Sequence, residues 1–269
     1  MKKLYLYFGF IIFSVTLFAQ EGYDLCILAY KNFDEGSFDS AVINYSKCIE
    51  YAPNDDASYF NRGLSYFYLE NWLAAANDFN RVTQFKPGDY EAYYWEGNAL
   101  SQTARFEESI NVYSKAIYYK PDLADAYLQR GFAKYSTGMY PEAIEDIEKA
   151  LQLDSNLTDA HFQLGLCFMQ TGNLDLALRE LNSAITRDPQ KETAWYYIGY
   201  INTTLKNYNN AIDAYSRAIE INNEAADSYY ERGIAYFSVS MQQQACSDWQ
   251  KADELGDLLA KDVLKKYCK

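Results

Sequence analysis

Six glycines, Gly63, Gly97, Gly131, Gly165, Gly199 and Gly233, recur along this chain at an interval of 34 residues. A fixed period of that size marks a supersecondary unit that cannot bury its apolar face alone, so that copies stack and each touches its neighbours. With the recurrent glycine at position 8, the units begin at Gly22, Asp56, Tyr90, Ala124, Thr158, Glu192 and Ala226, seven copies without an insertion. Function is then to be sought on surfaces that the repeats share.

Inside each unit the apolar positions 4, 8 and 11, and then 20, 24 and 27, follow helical spacing, which predicts two helices per repeat. Position 20 is small, with Ala41, Ala75, Ser109, Ala143, Ala177, Ala211 and Ala245, while position 24 is large, with Tyr45, Phe79, Tyr113, Ile147, Leu181, Tyr215 and Trp249. Large knobs against small holes are what dense packing requires. Pro53, Pro87, Pro121 and Pro189 all fall at position 32, where they predict the end of the second helix, and Pro141 suits the first turn of one. Gly36, Gly138 and Gly172 at position 15 predict the turn between paired helices, which the copies carrying Glu70 and Lys206 must make without glycine.

The pattern Tyr59, Gly63, Tyr66, Ala75, Phe79, Pro87, repeated as Tyr229, Gly233, Tyr236, Ala245, Trp249, resembles the tetratricopeptide repeat family. The resemblance covers about residues 22–255 and implies an all-α fold, a right-handed superhelical solenoid of antiparallel helix pairs. The first copy departs from the motif, with Leu25 at position 4 and Ala29 in place of the glycine. Residues 256–269, with Leu258, Leu259, Val263 and Leu264, read as a C-terminal helix that caps the last repeat.

The family usually holds a peptide or protein segment in a concave groove lined by its first helices. Positions 5, 9 and 12 form a stripe beside the core stripe, and here that stripe is aromatic. The groove residues expected from it are Phe60, Tyr94, Phe162, Tyr196 and Tyr230 at position 5, and Asn98, Phe132 and Tyr200 at position 9. Position 5 is expected to face the groove and position 12 to be buried, although part of this aromatic set also fits a plain core. The lysines and asparagines with which some members clamp a terminal carboxylate are missing, Asn98 excepted. The carboxylates Glu91, Asp125, Asp159 and Asp227 at position 2 fit two readings, stabilising helix N-termini or attracting basic partner segments.

A net charge of −13 disfavours nucleic acid, whose phosphates need a basic surface. Lys2 and Lys3, followed by an uncharged run from Leu4 to Phe18, predict a signal peptide over residues 1–20. As a helix that run would span about 22 Å, short of a hydrocarbon core of about 30 Å. Leu17 is a poor residue for the cleavage site, so retention as a membrane anchor is the alternative. Export places the five cysteines in an oxidising compartment. Cys26 with Cys48, and Cys246 with Cys268, then stand as candidate bridges, the first against the expectation that position 5 points away from position 27; buried thiols are the other reading.

The sole histidine, His161, takes a knob slot, and no nucleophile pairing, zinc-type spacing or phosphate loop occurs in the sequence. No catalytic residue, metal or cofactor is therefore assigned. The reading is a non-enzymatic, exported scaffold, periplasmic or envelope-associated, that binds a basic or neutral protein or peptide segment. A carbohydrate-binding solenoid using exposed tyrosines and a passive spacer or assembly arm are the alternatives.

Overall fold

The computed structural model describes residues 22–268. The leader expected over residues 1–20 lies outside them. Among the described residues there are fifteen helices and no strand, and no helix is long and apolar enough to cross a membrane.

Contacts divide the chain into two compact units, parted in sequence between Met139 and Tyr140. The first unit holds α1 (22–34), α2 (Phe38–Tyr51), α3 (Asp56–Tyr68), α4 (Trp72–Phe85), α5 (Tyr90–Gln102), α6 (Phe106–Tyr119) and α7 (Ala124–Ser136). In the second are α8 (Tyr140–Leu153), α9 (Thr158–Gln170), α10 (Leu174–Arg187), α11 (Glu192–Thr204), α12 (Tyr208–Ile221), α13 (Ala226–Ser238), α14 (Gln242–Glu254) and α15 (Ala260–Tyr267). Within each unit, consecutive helices pack on one another as antiparallel pairs, and the pairs stack.

Helix ends follow from local chemistry. α2, α4, α6 and α10 each stop two residues before a position-32 proline, and Pro141 sits in the first turn of α8. Where that proline is absent after α8 and α12, Asp154 and Asn222 accept backbone N–H bonds from Asn156 and Glu224 at 2.9 and 3.1 Å. These Asx turns stop the helix at the same position. Asp55 and Asp89 cap α3 and α5 by accepting the amides of Ser58 and Ala92.

The turn inside every repeat places position 15 in the left-handed region. Gly36, Gly138 and Gly172 do so at φ 72–81°, and Glu70, Ala104, Lys206 and Ser240 do so at 57–65°. Four repeats therefore carry a Cβ where it costs about 1–2 kcal/mol. Glycine at Ala104 or Lys206 is expected to stabilise the protein by about 1 kcal/mol per site. A fall in melting temperature for Ala104→Gly would contradict that account.

The core is a ladder of position-24 side chains. Phe79, Tyr113, Leu181 and Tyr215 are wholly buried and Trp249 almost so, each stabilising the fold by about 2 kcal/mol. Each lies against the position-8 glycine of its own repeat: a Cβ at Gly97 would stand 2.5 Å from the Tyr113 ring, and one at Gly233 2.5 Å from the Trp249 ring. The recurrent glycine is thus the hole for this knob.

A second ladder is polar. Arg62 donates to both carboxylate oxygens of Asp78 at 2.8 Å and to Ser46 Oγ of the preceding repeat at 3.0 Å. Arg232 repeats this with Asp248, at 2.7 and 2.8 Å, and with Ser216 at 2.9 Å; Arg130 reaches Ser114 at 2.9 Å. Tyr59 and Tyr66 flank Arg62, and Tyr229 and Tyr236 flank Arg232, at 5.4–5.8 Å. Burial pushes the Asp78 carboxyl up despite its cationic partner, the mark of a pair desolvated on both sides.

The ends are stapled. Cys26 is bonded to Cys48 and Cys246 to Cys268, each 22 residues apart, a loop length for which a bridge stabilises by about 3 kcal/mol. The last helix is shorter than the segment expected over residues 256–269: Leu258 and Leu259 precede it and are 87% and 61% exposed, whereas Val263 and Leu264 are half-buried and Ala260 wholly buried, and the Tyr267 ring lies 4.7 Å from Phe237 and 6.1 Å from Trp249.

Candidate functional site

The first helix of each repeat carries the candidate surface. In the first unit, Phe60 packs on Phe79 with ring centroids 5.4 Å apart, and Tyr94 lies 6.2 Å from Tyr113. Tyr196 does the same in the second unit, 5.8 Å from Tyr215. Phe162 is half-buried beside Tyr197, and Tyr230 is half-buried with its backbone carbonyl accepting the Trp249 indole N–H at 3.1 Å. Position 5 thus leans on the second helix of its own repeat, and no copy of it is exposed. The expectation that position 5 faces outward more than position 12 does not match this geometry: Phe33 and Phe67 at position 12 are equally half-buried and Phe237 is 39% exposed.

The same lean explains Cys26. A position-5 side chain turned toward the second helix reaches position 27, where Cys48 stands.

Position 9 is the open one. Tyr30 is 60% exposed, Tyr200 44% and Phe132 37%, and position 2 is exposed in every repeat. Asn98 serves its own fold, its Oδ1 accepting the Tyr113 hydroxyl at 2.7 Å. Position 6 is exposed at Ile27 but half-buried at Trp95, Tyr197 and Glu231, and the Trp95 ring lies 5.2 Å from Phe67 and 6.4 Å from Phe79. Positions 2 and 9 are seven residues apart and share a helix side, a signal that the sequence carries.

Electrostatics on α11 and α13 are acidic. Burial raises the Glu192 carboxyl and Asp227 raises it further; burial, Asp227 and Asp257 raise Glu231. Burial and then Glu231 and Asp227 push the Tyr196 hydroxyl up.

Groups with chemical potential elsewhere are engaged. His161 Nδ1 lies 2.9 Å from Glu180 Oε2, whose other oxygen accepts from Arg179 at 3.0 Å. The Cys167 thiol is buried and pushed up to about 12 by desolvation, which keeps it protonated and inert at neutral pH. Cys26, Cys48 and Asp55 converge, but the two sulfurs are spent on each other and offer no thiolate to a metal.

Comparison with known proteins places this architecture. The model described as "TPR repeat" matches residues 97–138 and 203–239, and that of anaphase-promoting complex, cyclosome, subunit 3 matches residues 136–218. A tetratricopeptide repeat protein structure from Parabacteroides merdae is 18% identical, over 93% of this chain and 100% of its own, with a TM-score of 0.68. The C-terminal part of a TPR repeat-containing protein from Cytophaga hutchinsonii is 18% identical, over 88% and 98%, with a TM-score of 0.71. YrrB, described as a TPR protein with an unusual peptide-binding site, is 24% identical, over 71% and 99%, with a TM-score of 0.62. No curated protein matches the chain.

Proposed function

Because the chain is an array of tetratricopeptide repeats, we propose that it is a non-catalytic scaffold that holds an extended segment of a partner protein along the first-helix faces. The observation that carries this reading is the position-9 aromatics: Tyr30 and Tyr200 are 60% and 44% exposed, and Phe132, edge-on to Phe106 at 6.1 Å, keeps 37% of its surface open, while every position-24 ring is packed. Exposed tyrosine offers contact area at low entropic cost together with a hydroxyl. The peptide-binding site of YrrB supports the same use of the fold.

We place the protein outside the cytoplasm, in the periplasm or envelope. Lys2, Lys3 and the apolar run that follows them support export, and two cysteine bridges fit an oxidising compartment.

Cross-linking and affinity capture from envelope extract tests the scaffold reading, with wild type beside a Tyr30→Ser, Tyr200→Ser variant. The variant is expected to keep its melting temperature and lose the partner. An identical set of captured proteins would sink the reading. Substitutions at Tyr94 or Tyr196 are poorer probes, because those rings also pack on Tyr113 and Tyr215.

A further inference from the structure

In the later repeats, positions 3, 6, 7 and 10 of the first helix belong to the joint with the repeat before. Positions 3 and 10 are buried at Ser58 and Ser65, at Ala92 and Ala99, and at their later counterparts, and position 7 reaches the preceding repeat directly, as Arg62 does to Ser46. At position 6, Trp95 lies on Phe67 and Phe79, which are positions 12 and 24 of the repeat before. α1 carries Asp24, Ile27, Leu28 and Lys31 at these four positions, and all four are exposed, Ile27 by 51% and Leu28 by 44%. The joint that elsewhere binds repeat to repeat stands half-made on this helix.

The C-terminal end is closed. Positions 12 and 24 of the last repeat are Phe237 and Trp249, and the Tyr267 ring lies on them at 4.7 and 6.1 Å, as Trp95 lies on Phe67 and Phe79 at 5.2 and 6.4 Å. α15 thus takes the seat of a further first helix, and the Cys246–Cys268 bond fixes the residue next to Tyr267. The α1 of a second copy cannot enter an occupied seat, so head-to-tail growth into a filament is blocked. The pairing left to two copies through this face is α1 against α1, and the sequence is self-complementary for it. Asp24 and Lys31, opposite in charge, stand three residues to either side of the Ile27–Leu28 pair. Under a two-fold axis through that pair, each Asp24 meets the other copy's Lys31, and the apolar pairs meet at the centre inside a polar rim. Lys31 also pairs with Glu35 within α1, at 3.7 Å with both side chains largely exposed, a contact too weak to hold it.

We propose that the chain forms a two-fold dimer in which α1 lies antiparallel on α1 of a second copy, centred between Ile27 and Leu28. The contact continues the repeat joint across the axis, with Ile27 and Leu28 supplying apolar area and Asp24 and Lys31 fixing the direction. An isologous contact of this kind closes at two copies. The dimer presents the first-helix surface twice, which gives a partner bearing two segments an avidity that neither surface has alone. Its formation does not depend on the scaffold reading.

Sedimentation velocity of the full chain from about 2 to about 200 µM tests this, a range set by a helix-on-helix contact falling at the small end of specific interfaces. Wild type is expected to pass from monomer to dimer. Leu28→Glu, which buries an unpaired charge at the centre, is expected to raise the dissociation constant about tenfold or more. Lys31→Asp should do the same by setting like charges together. Both residues are exposed, so the melting temperature should change little in either variant. Asp24→Lys, Lys31→Asp protein restores opposite charges across the axis and should dimerise like wild type. A monomer throughout the range, a dimer indifferent to Leu28→Glu, or a double variant as weak as Lys31→Asp would overturn the proposal. If association disappears when residues 1–20 are removed, that segment carries it and the proposal falls. Capture by the position-9 variant is a separate readout: loss of the partner there, with wild type monomeric, would retain the scaffold and reject the dimer.

Discussion

Asp248→Ala protein is expected to be less stable than wild type by about 3–5 kcal/mol, the cost of stripping a buried cation of its carboxylate. The Arg232 and Asp248 side chains are 16% and 9% exposed, so water cannot replace what is removed. Ser216 and the Tyr229 and Tyr236 rings would remain around the guanidinium, but none carries negative charge. The double variant Arg232→Met, Asp248→Leu is expected to recover most of the loss, because an apolar pair has no desolvation penalty to offset. Repeat proteins unfold unit by unit, so the measurement is amide hydrogen exchange resolved on α13 and α14 as well as global urea unfolding. Protection that is unchanged on both helices in Asp248→Ala protein would show that the pair contributes nothing.

Gly97→Ala carries the second large effect. The added methyl would stand 2.5 Å from the Tyr113 ring, and that ring cannot retreat, because it is wholly buried and its hydroxyl is tied to Asn98. Overpacking of this kind costs about 1–3 kcal/mol. In a Tyr113→Val background the clashing ring atoms are gone and Gly97→Ala should cost much less, a coupling that a double-mutant cycle reads directly. Gly88→Ala serves as the control, since its nearest neighbours, in Tyr119, are 3.9 Å away. If Gly97→Ala costs the same with and without Tyr113, the knob-in-hole account is wrong.

Features written in backbone chemistry were legible in the sequence. The 34-residue glycine interval, the position-32 prolines and the turn glycines each restrict φ or exclude a Cβ, and such restrictions show in a single residue type. The helix pairs followed from them, and the tetratricopeptide architecture is what the resemblance to that motif implies. Side-chain direction was harder. Whether position 5 or position 9 looks outward depends on how two helices cross, and spacing along one helix does not contain that angle. Spacing alone therefore sends Phe60, Tyr94 and Tyr196 to the surface, whereas they lean on Phe79, Tyr113 and Tyr215, and it turns Cys26 away from its partner for the same reason. The polar ladder escaped for a different cause: Arg62 takes Asp78 from 16 residues ahead and Ser46 from 16 residues behind, a separation that no local motif samples.

That ladder has a mechanical consequence. Arg62, Arg130 and Arg232 each hold a residue of the preceding repeat, so parting the repeats there breaks a charge-assisted hydrogen bond along with apolar contact. At the same position α9 and α11 carry Leu164 and Ile198, which offer no such bond, and at the start of α11 it is Lys191 that reaches back, to Asp159 of α9 at 2.8 Å. Within each unit, the joints held by an arginine should be the last to part under tension, giving the protein a graded order of yielding.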